Sequence, residues 1–267
     1  ARPVAQDRMQ NVCSGLICRF PAAGNIQLGY IGNIGIALFE KEINMHKSSM
    51  LRMKWFEENY ASKIIKDKIK VLDVGSCDVN GSYRNIFVDK KYEYFGLDME
   101  EGPNVDIALK HPYNWDEIET DAFDVIISGQ AFEHIEFIWI TIAEMARVLK
   151  RDGLLCVIAP NGGKEHRYPV DCYRFFSDGM VALAKYVNLE PLHSHTNCAP
   201  KTNFAHWYSK TFADSVLIAK KTYSGQPEFI NPKTYKCVPA DQELLRTVLI
   251  PYNWRKRFAF SFLSRIF

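Results

Sequence analysis

Val71-Leu72-Asp73-Val74-Gly75-Ser76-Cys77-Asp78-Val79-Asn80-Gly81-Ser82-Tyr83 is an apolar run that ends in a turn of small residues. Asp98 closes a second apolar run 25 residues after Asp73. This spacing is that of a βαβ nucleotide site. A tight turn almost free of side chains lets main-chain N–H groups approach a ligand, and the distal carboxylate can accept hydrogen bonds from both hydroxyls of a ribose.

The chain extends this pattern in both directions. Lys70 to Gly75 reads as a first strand and Tyr92 to Met99 as a second, with a helix or loose turn between them. Asn104 to Leu109 is a short third strand. Phe123 to Gly129 is a fourth, apolar throughout as a strand buried on both faces is. A helix follows with Ile135, Ile138, Ile142, Met145, Ala146 and Leu149 on one stripe, closed by the basic turn Lys150-Arg151 and a left-handed stop at Gly153. Leu154 to Ala159 makes a fifth strand. Ser177 caps a helix running to about Asn188, and Leu189 to Thr196 and Asp214 to Lys220 form a closing antiparallel hairpin around a loop at 198–212.

Alternation of strand and helix with short loops predicts an α/β fold: a Rossmann-like, seven-stranded, mostly parallel sheet with an antiparallel C-terminal edge strand and helices on both faces. Residues 1–45 read as an irregular N-terminal arm, 46–220 as the domain with its core at 70–220, and 221–267 as a C-terminal extension. From His46 a helical pattern carries Met50, Met53, Trp55, Phe56, Tyr60 and Ile64. It serves as core or, alternatively, as a lid over the ligand.

Composition excludes several classes. A net charge of +2 over 267 residues makes no electrostatic case for nucleic acid. Seven scattered cysteines without a CxxC pair suggest neither a zinc cluster nor a disulfide framework and fit a reducing, cytoplasmic compartment. The first ten residues lack a signal peptide's pattern, and Ile26 to Phe39 is too short and too glycine-broken to span a bilayer. The C-terminal end sets Arg255, Lys256, Arg257 and Arg265 among Phe258, Phe260, Phe262 and Phe267, a composition for peripheral membrane contact or for packing on its own domain or a partner subunit.

The pattern resembles the class I S-adenosylmethionine-dependent methyltransferases, of the type 11-like kind. Asp73-Val74-Gly75-Ser76 is similar to their first motif, Gly96-Leu97-Asp98 to their ribose-binding position, and Phe123 to Ser128 to their fourth strand. Phe132-Glu133-His134-Ile135 is similar to their "EH" signature, and Ala146 to Leu155 to their step into the fifth strand. The resemblance implies S-adenosylmethionine as cofactor, with Asp73, Gly75 and Ser76 at its methionine end, Asp98 and Met99 at its ribose, and Ser128 and Gln130 beside the transferable methyl. Cys77 stands where the family usually has a second glycine. The acidic residue often found near the adenine has no counterpart around Lys110, His111 and Tyr113.

Methyl transfer from a sulfonium needs alignment above all, and a hydroxyl acceptor also needs a base. His134 follows the methyl-facing wall and is a candidate for that base, or for a packing histidine at a helix start. The loop Asn161 to Phe176 leaves the fifth strand at the sheet edge where ligands bind. It offers His166 and Asp171 as base and orienting acid, with Tyr168, Tyr173 and Arg174 to grip a polyhydroxylated acceptor. This loop, together with Gly75 to Arg84, resembles methyltransferases of surface polysaccharide pathways. That implies O-methylation of a sugar hydroxyl, with glycosyltransferases of the same pathway as partners. His134, His166, Asp171, His193 and His195 could supply metal ligands, but no spacing is diagnostic; no dedicated metal is expected, and Mg²⁺ is possible but not predicted. The alternatives are methylation of a small non-sugar metabolite, or a catalytically silent cofactor-binding module in a glycan-assembly complex.

Overall fold

The computed structural model describes residues 47–79, 81–196 and 213–235. The N-terminal arm, the loop at 198–212 and the basic C-terminal end lie outside them. The strands are β1 Ile69–Val74, β2 Tyr92–Asp98, β3 Ile107–Ala108, β4 Phe123–Gly129, β5 Leu149–Pro160, β6 Glu190–Thr196 and β7 Asp214–Lys220. They form one seven-stranded sheet in the order β3-β2-β1-β4-β5-β7-β6. The first five are parallel to one another, and β7 runs antiparallel between β5 and β6. The expected closing hairpin is present, with β6 at the rim and β7 inserted beside β5.

Helices cover both faces. On one side α2 (Ile138–Val148) and α3 (Ser177–Tyr186) bury Ile142, Met145, Ala146, Met180 and Ala184 against Leu72, Ile126, Leu155 and Leu217. On the other side α1 (Lys47–Asn59) sets Met53 and Phe56 against Val71, Val125, Cys156 and Ile218. The sheet residues alternate between these two cores, which is why β1, β4 and β5 read as continuous apolar runs.

Of the helix or loose turn expected between β1 and β2, the described residues form the turn, with a 3-10 segment at Tyr83–Asn85. Three local expectations are corrected. The chain leaves α2 at Val148 and enters β5 at once, so Lys150 and Arg151 belong to the strand, and the left-handed residue is Asp152 (φ 64°) instead of Gly153. Lys150 turns to Asp124, whose carboxylate also receives Lys66, and burying that acid requires such partners. Ser177 is not a cap: it is the first residue of α3, and its hydroxyl pairs with Thr196 Oγ1 at 2.9 Å.

The helix α1 is core and supplies no residue to the cavity described below. It carries the buried guanidinium of Arg52, which meets Asp214 Oδ2 at 3.0 Å, where Ser48 Oγ also donates at 2.7 Å. Both partners of this ion pair are fully buried. Removing one charge would leave the other uncompensated. Asp214→Ala is therefore expected to lose about 3–5 kcal/mol in urea unfolding, and Arg52→Met with Asp214→Leu to regain most of it. A cost for Asp214→Ala below about 1 kcal/mol would show that the pair is not the tie between α1 and β7.

Candidate functional site

The carboxyl ends of β1, β2 and β4 and the loops after β3 and β5 enclose a cavity of about 520 Å³. Its floor is the turn after β1. Gly75 has φ 78°, and a Cβ there would lie 2.5 Å from the Ala131 Cβ. No other side chain fits, so the turns after β1 and β4 touch backbone to methyl. The expectation that this turn offers its N–H groups to a ligand is not met. Gly75 and Ser76 donate to Leu97 O, Cys77 to Asp98 Oδ2 at 2.9 Å, and Asp78 to Pro103 O. The turn supplies room, and its donors hold it against β2. The side chain at Cys77 is accommodated because its sulfur sits over Gly102, where a Cβ would come within 2.9 Å of it.

Two carboxylates face this floor. Asp98 accepts from Cys77 N and, through Oδ1, from Met99 N at 2.7 Å. Each oxygen keeps a lone pair for a diol in the cavity. Asp73 is buried beside Tyr94, whose hydroxyl donates to Oδ2, while Oδ1 has no hydrogen-bond partner. Burial pushes its pKa up to about 7, and the Tyr94 hydrogen bond opposes the shift. A ligand ammonium would restore what burial costs this group. Ser76 and Met99 also line the cavity. Ser128 does not: it is fully buried and gives its hydroxyl to Val74 O at 2.8 Å, tying β4 to β1. The cavity lining also includes Leu109, Pro112, Tyr113 and Trp115, apolar and aromatic surface suited to a heterocycle.

Gln130 leaves β4 with φ 59°, a left-handed conformation unusual for this residue type. Its amide donates to Asp214 Oδ1 at 3.2 Å, and the same aspartate receives Arg52. This turn leads into the 3-10 segment Phe132–His134 and sets Glu133 and His134 into the cavity wall. Glu133 is almost fully buried; its Oε2 has no partner and its Oε1 lies 3.7 Å from His134 Nε2. Burial lifts its pKa to about 8. Burial likewise lowers that of His134, whose Nδ1 meets Val170 O at 2.6 Å. A carbonyl only accepts, so Nδ1 carries the proton and Nε2 the lone pair.

The loop after β5 folds back over this segment. Cys172 N and Tyr173 N both donate to Glu133 O, and His166 packs edge-on to His134 with ring centroids 4.9 Å apart. Tyr168 stands 5.8 Å from His134 and lines the cavity with His166. The other loop residues have inward duties. Asp171 accepts from Arg174 through both oxygens, at 2.5 and 2.8 Å, and from His166 N at 2.8 Å. The Arg174 guanidinium holds that carboxyl well below the usual range, so it is a fixed anion and no proton carrier. Arg174 also reaches Lys164 O, and Tyr173 gives its hydroxyl to Glu136 O at 2.6 Å. Asp171, Tyr173 and Arg174, expected to act on an acceptor, do not line the cavity; they staple the loop that presents Tyr168 and His166. His193 and His195 pair with each other on β6, away from the cavity.

Sequence reasoning passed over Glu133, although it quoted the residue beside His134. An acid one step before a histidine, between Phe132 and Ile135, was the available signal.

Residues 72–157, about a third of the chain, match the family model described as a methyltransferase domain. No curated protein sequence matches the chain. Solved structures of similar shape include a 1,6-didemethyltoxoflavin-N1-methyltransferase from Burkholderia thailandensis with bound S-adenosylhomocysteine (17% identity, 67% of this chain and 80% of that one, TM-score 0.49). A geranyl diphosphate methyltransferase in complex with S-adenosylmethionine is also among them (9%, 64% and 85%, 0.47). So is the [4+2]-cyclase SpnF (15%, 64% and 81%, 0.49). The family match shows residues 72–157 to be similar to a methyltransferase domain, and the cofactor implied by the sequence resemblance is S-adenosylmethionine. The cavity fits that cofactor, with an unpartnered carboxylate oxygen on Asp73, a floor that any Cβ would fill at Gly75, and the paired backbone donors that aim Asp98.

If Asp98 accepts the ribose diol, Asp98→Ala is expected to weaken S-adenosylhomocysteine by about 1.5–3 kcal/mol in isothermal titration, the worth of hydrogen bonds to a charged group. Unchanged affinity would remove Asp98 from the site. The Glu133 carboxyl, raised from 4.5 to about 8, binds a proton in the folded state that the unfolded chain releases. Its contribution therefore falls as pH climbs from about 4.5 to 8, the sign shared by Asp73 over the lower part of that window. Glu133→Gln should make the protein about 1–3 kcal/mol more stable than the parent at pH 9 and leave it little changed at pH 5. Equal urea midpoints for the two proteins at pH 9 would contradict this assignment.

Proposed function

We propose that this chain is an O-methyltransferase that methylates a hydroxyl of a sugar, in the assembly of a surface polysaccharide or related glycan. The observation that carries the reading is the convergence of Tyr168, His134 and His166 on the wall of the cofactor cavity. An aromatic face packs on the C–H surface of a pyranose, and imidazoles serve its hydroxyls. In this reading Asp73, Gly75 and Ser76 hold the methionine end of S-adenosylmethionine, Asp98 and Met99 the ribose, and Gln130 the wall nearest the transferred methyl. The bound cofactor supplies a methyl carbon on a sulfonium sulfur: the acceptor oxygen bonds to that carbon as the C–S bond breaks, and its electron pair stays on sulfur.

The residues of the chain do the rest. Gly75 and Ala131 fix the distance between donor floor and acceptor wall, which is where most of the rate advantage of an oriented transfer arises. His134, neutral and with Nε2 turned inward, and His166 act where the acceptor hydroxyl gives up its proton. Arg174 and Asp171 keep the loop closed on them. Glycosyltransferases that build the acceptor are the partners this reading calls for, and a cytoplasmic site of action goes with it. Among the described residues no helix is long and apolar enough to cross a membrane.

With labelled donor and a panel of rhamnose-, fucose- and mannose-containing glycans, label is expected in one of the sugars. His134→Ala and His166→Ala should each lose about 100-fold or more in turnover while keeping S-adenosylhomocysteine affinity. Transfer to a phenol or a carboxylate but to no sugar would favour the small-metabolite reading. Tight cofactor binding without transfer to any acceptor would favour the silent module.

A further inference from the structure

The same wall gathers ligand atoms. Glu133, His134 and His166 each present one, and the three lie within 4.8 Å of one another. The Glu133 carboxyl is 1% exposed, its Oε2 has no hydrogen-bond partner, and the residue lines the cavity. A buried oxygen of this kind needs a proton or a cation. His134 is preset as a ligand: the Val170 carbonyl, 2.6 Å from Nδ1, fixes the tautomer and leaves Nε2 basic toward the glutamate. His166 turns Nδ1 toward Lys164 O at 3.2 Å and Asp171 Oδ2 at 3.8 Å, which again makes Nε2 the basic nitrogen. Carbonyl and carboxylate behind the imidazoles are the usual outer support of metal-ligating histidines.

We propose that Glu133, His134 and His166 bind a divalent transition-metal cation, and that this cation takes the acceptor hydroxyl as a further ligand. Two imidazoles and one carboxylate favour Mn²⁺, Fe²⁺, Co²⁺ or Zn²⁺ over Mg²⁺ and Ca²⁺, which prefer oxygen. Ligands about 2.0–2.2 Å from an ion sit closer together than these atoms do, so the site tightens on binding. His166, on the loop side and 34% exposed, is the outer ligand, while buried Glu133 and half-buried His134 form the inner half. Coordination acidifies a hydroxyl, so the two imidazoles placed above at its deprotonation act as ligands of the ion, and the proton passes to solvent water. A vicinal diol would chelate the ion through both oxygens, so the site selects acceptors with adjacent hydroxyls. This selectivity rests on the sugar reading above; the cation site itself does not.

The test uses the full chain stripped with a chelator and titrated with Co²⁺, followed by its visible absorbance, and with Mn²⁺, followed by electron paramagnetic resonance. One ion per chain is expected in the micromolar range. Glu133→Gln and His166→Gln should each weaken it by more than about 100-fold, while S-adenosylhomocysteine affinity and thermal midpoint show both variants folded. Methyl transfer should be lost on chelation and restored by Mn²⁺ or Co²⁺. Absence of binding in the micromolar range, or undiminished binding in the Glu133→Gln, His166→Gln double variant, would overturn the site. Cation binding with transfer to no sugar would keep the site and remove the sugar reading. Transfer to a sugar that survives chelation would do the reverse.

Discussion

The site depends on the contact between the turns after β1 and β4, where Gly75 leaves 2.5 Å between a notional Cβ and the methyl of Ala131. That approach places the cofactor floor and the acceptor wall on either side of one cavity. Its far side is held from a distance. Gln130 is kept in a left-handed turn by Asp214, and Asp214 by Arg52 and Ser48 of α1. A helix that lines no part of the cavity therefore decides where Glu133 and His134 point.

Electrostatic tension concentrates where the ligands would be. Asp73 and Glu133 are both buried, both pushed toward the protonated form, and each keeps one oxygen without a partner. Elsewhere buried acids are answered: Asp124 by two lysines, Asp214 by Arg52, Asp171 by Arg174. The fold has satisfied its structural carboxylates and left two cavity carboxylates unsatisfied. Local cost retained at a binding site is the pattern expected where stability has been exchanged for preorganisation.

Much of the frame was legible from the chain. Strands such as Phe123–Gly129 announce themselves because a sheet covered on both faces has no polar alternation, and Asp98 because a carboxylate at the end of a second strand has few other uses. The turn at Gly75 was legible as a shape, but not that its donors would be used by Leu97 and Asp98. The step from α2 to β5 was misread because Lys150-Arg151-Asp152-Gly153 has the composition of a helix end, and the pairing of Lys150 with Asp124 spans the sheet. The loop after β5 was legible as functional in composition, but composition cannot divide its residues. Arg174 and Tyr173 face inward because Asp171 and the Glu136 carbonyl meet them there, partners only the fold supplies.

The central claim is that one cavity seats the cofactor with its reactive end toward Glu133, His134 and His166. Crystals grown with S-adenosylhomocysteine test it most directly. The account predicts the ribose hydroxyls on Asp98, the amino group near Asp73, and the sulfur facing the two imidazoles across an open pocket. A nucleoside bound elsewhere, or one seated here with its sulfur turned away from those side chains, would contradict it.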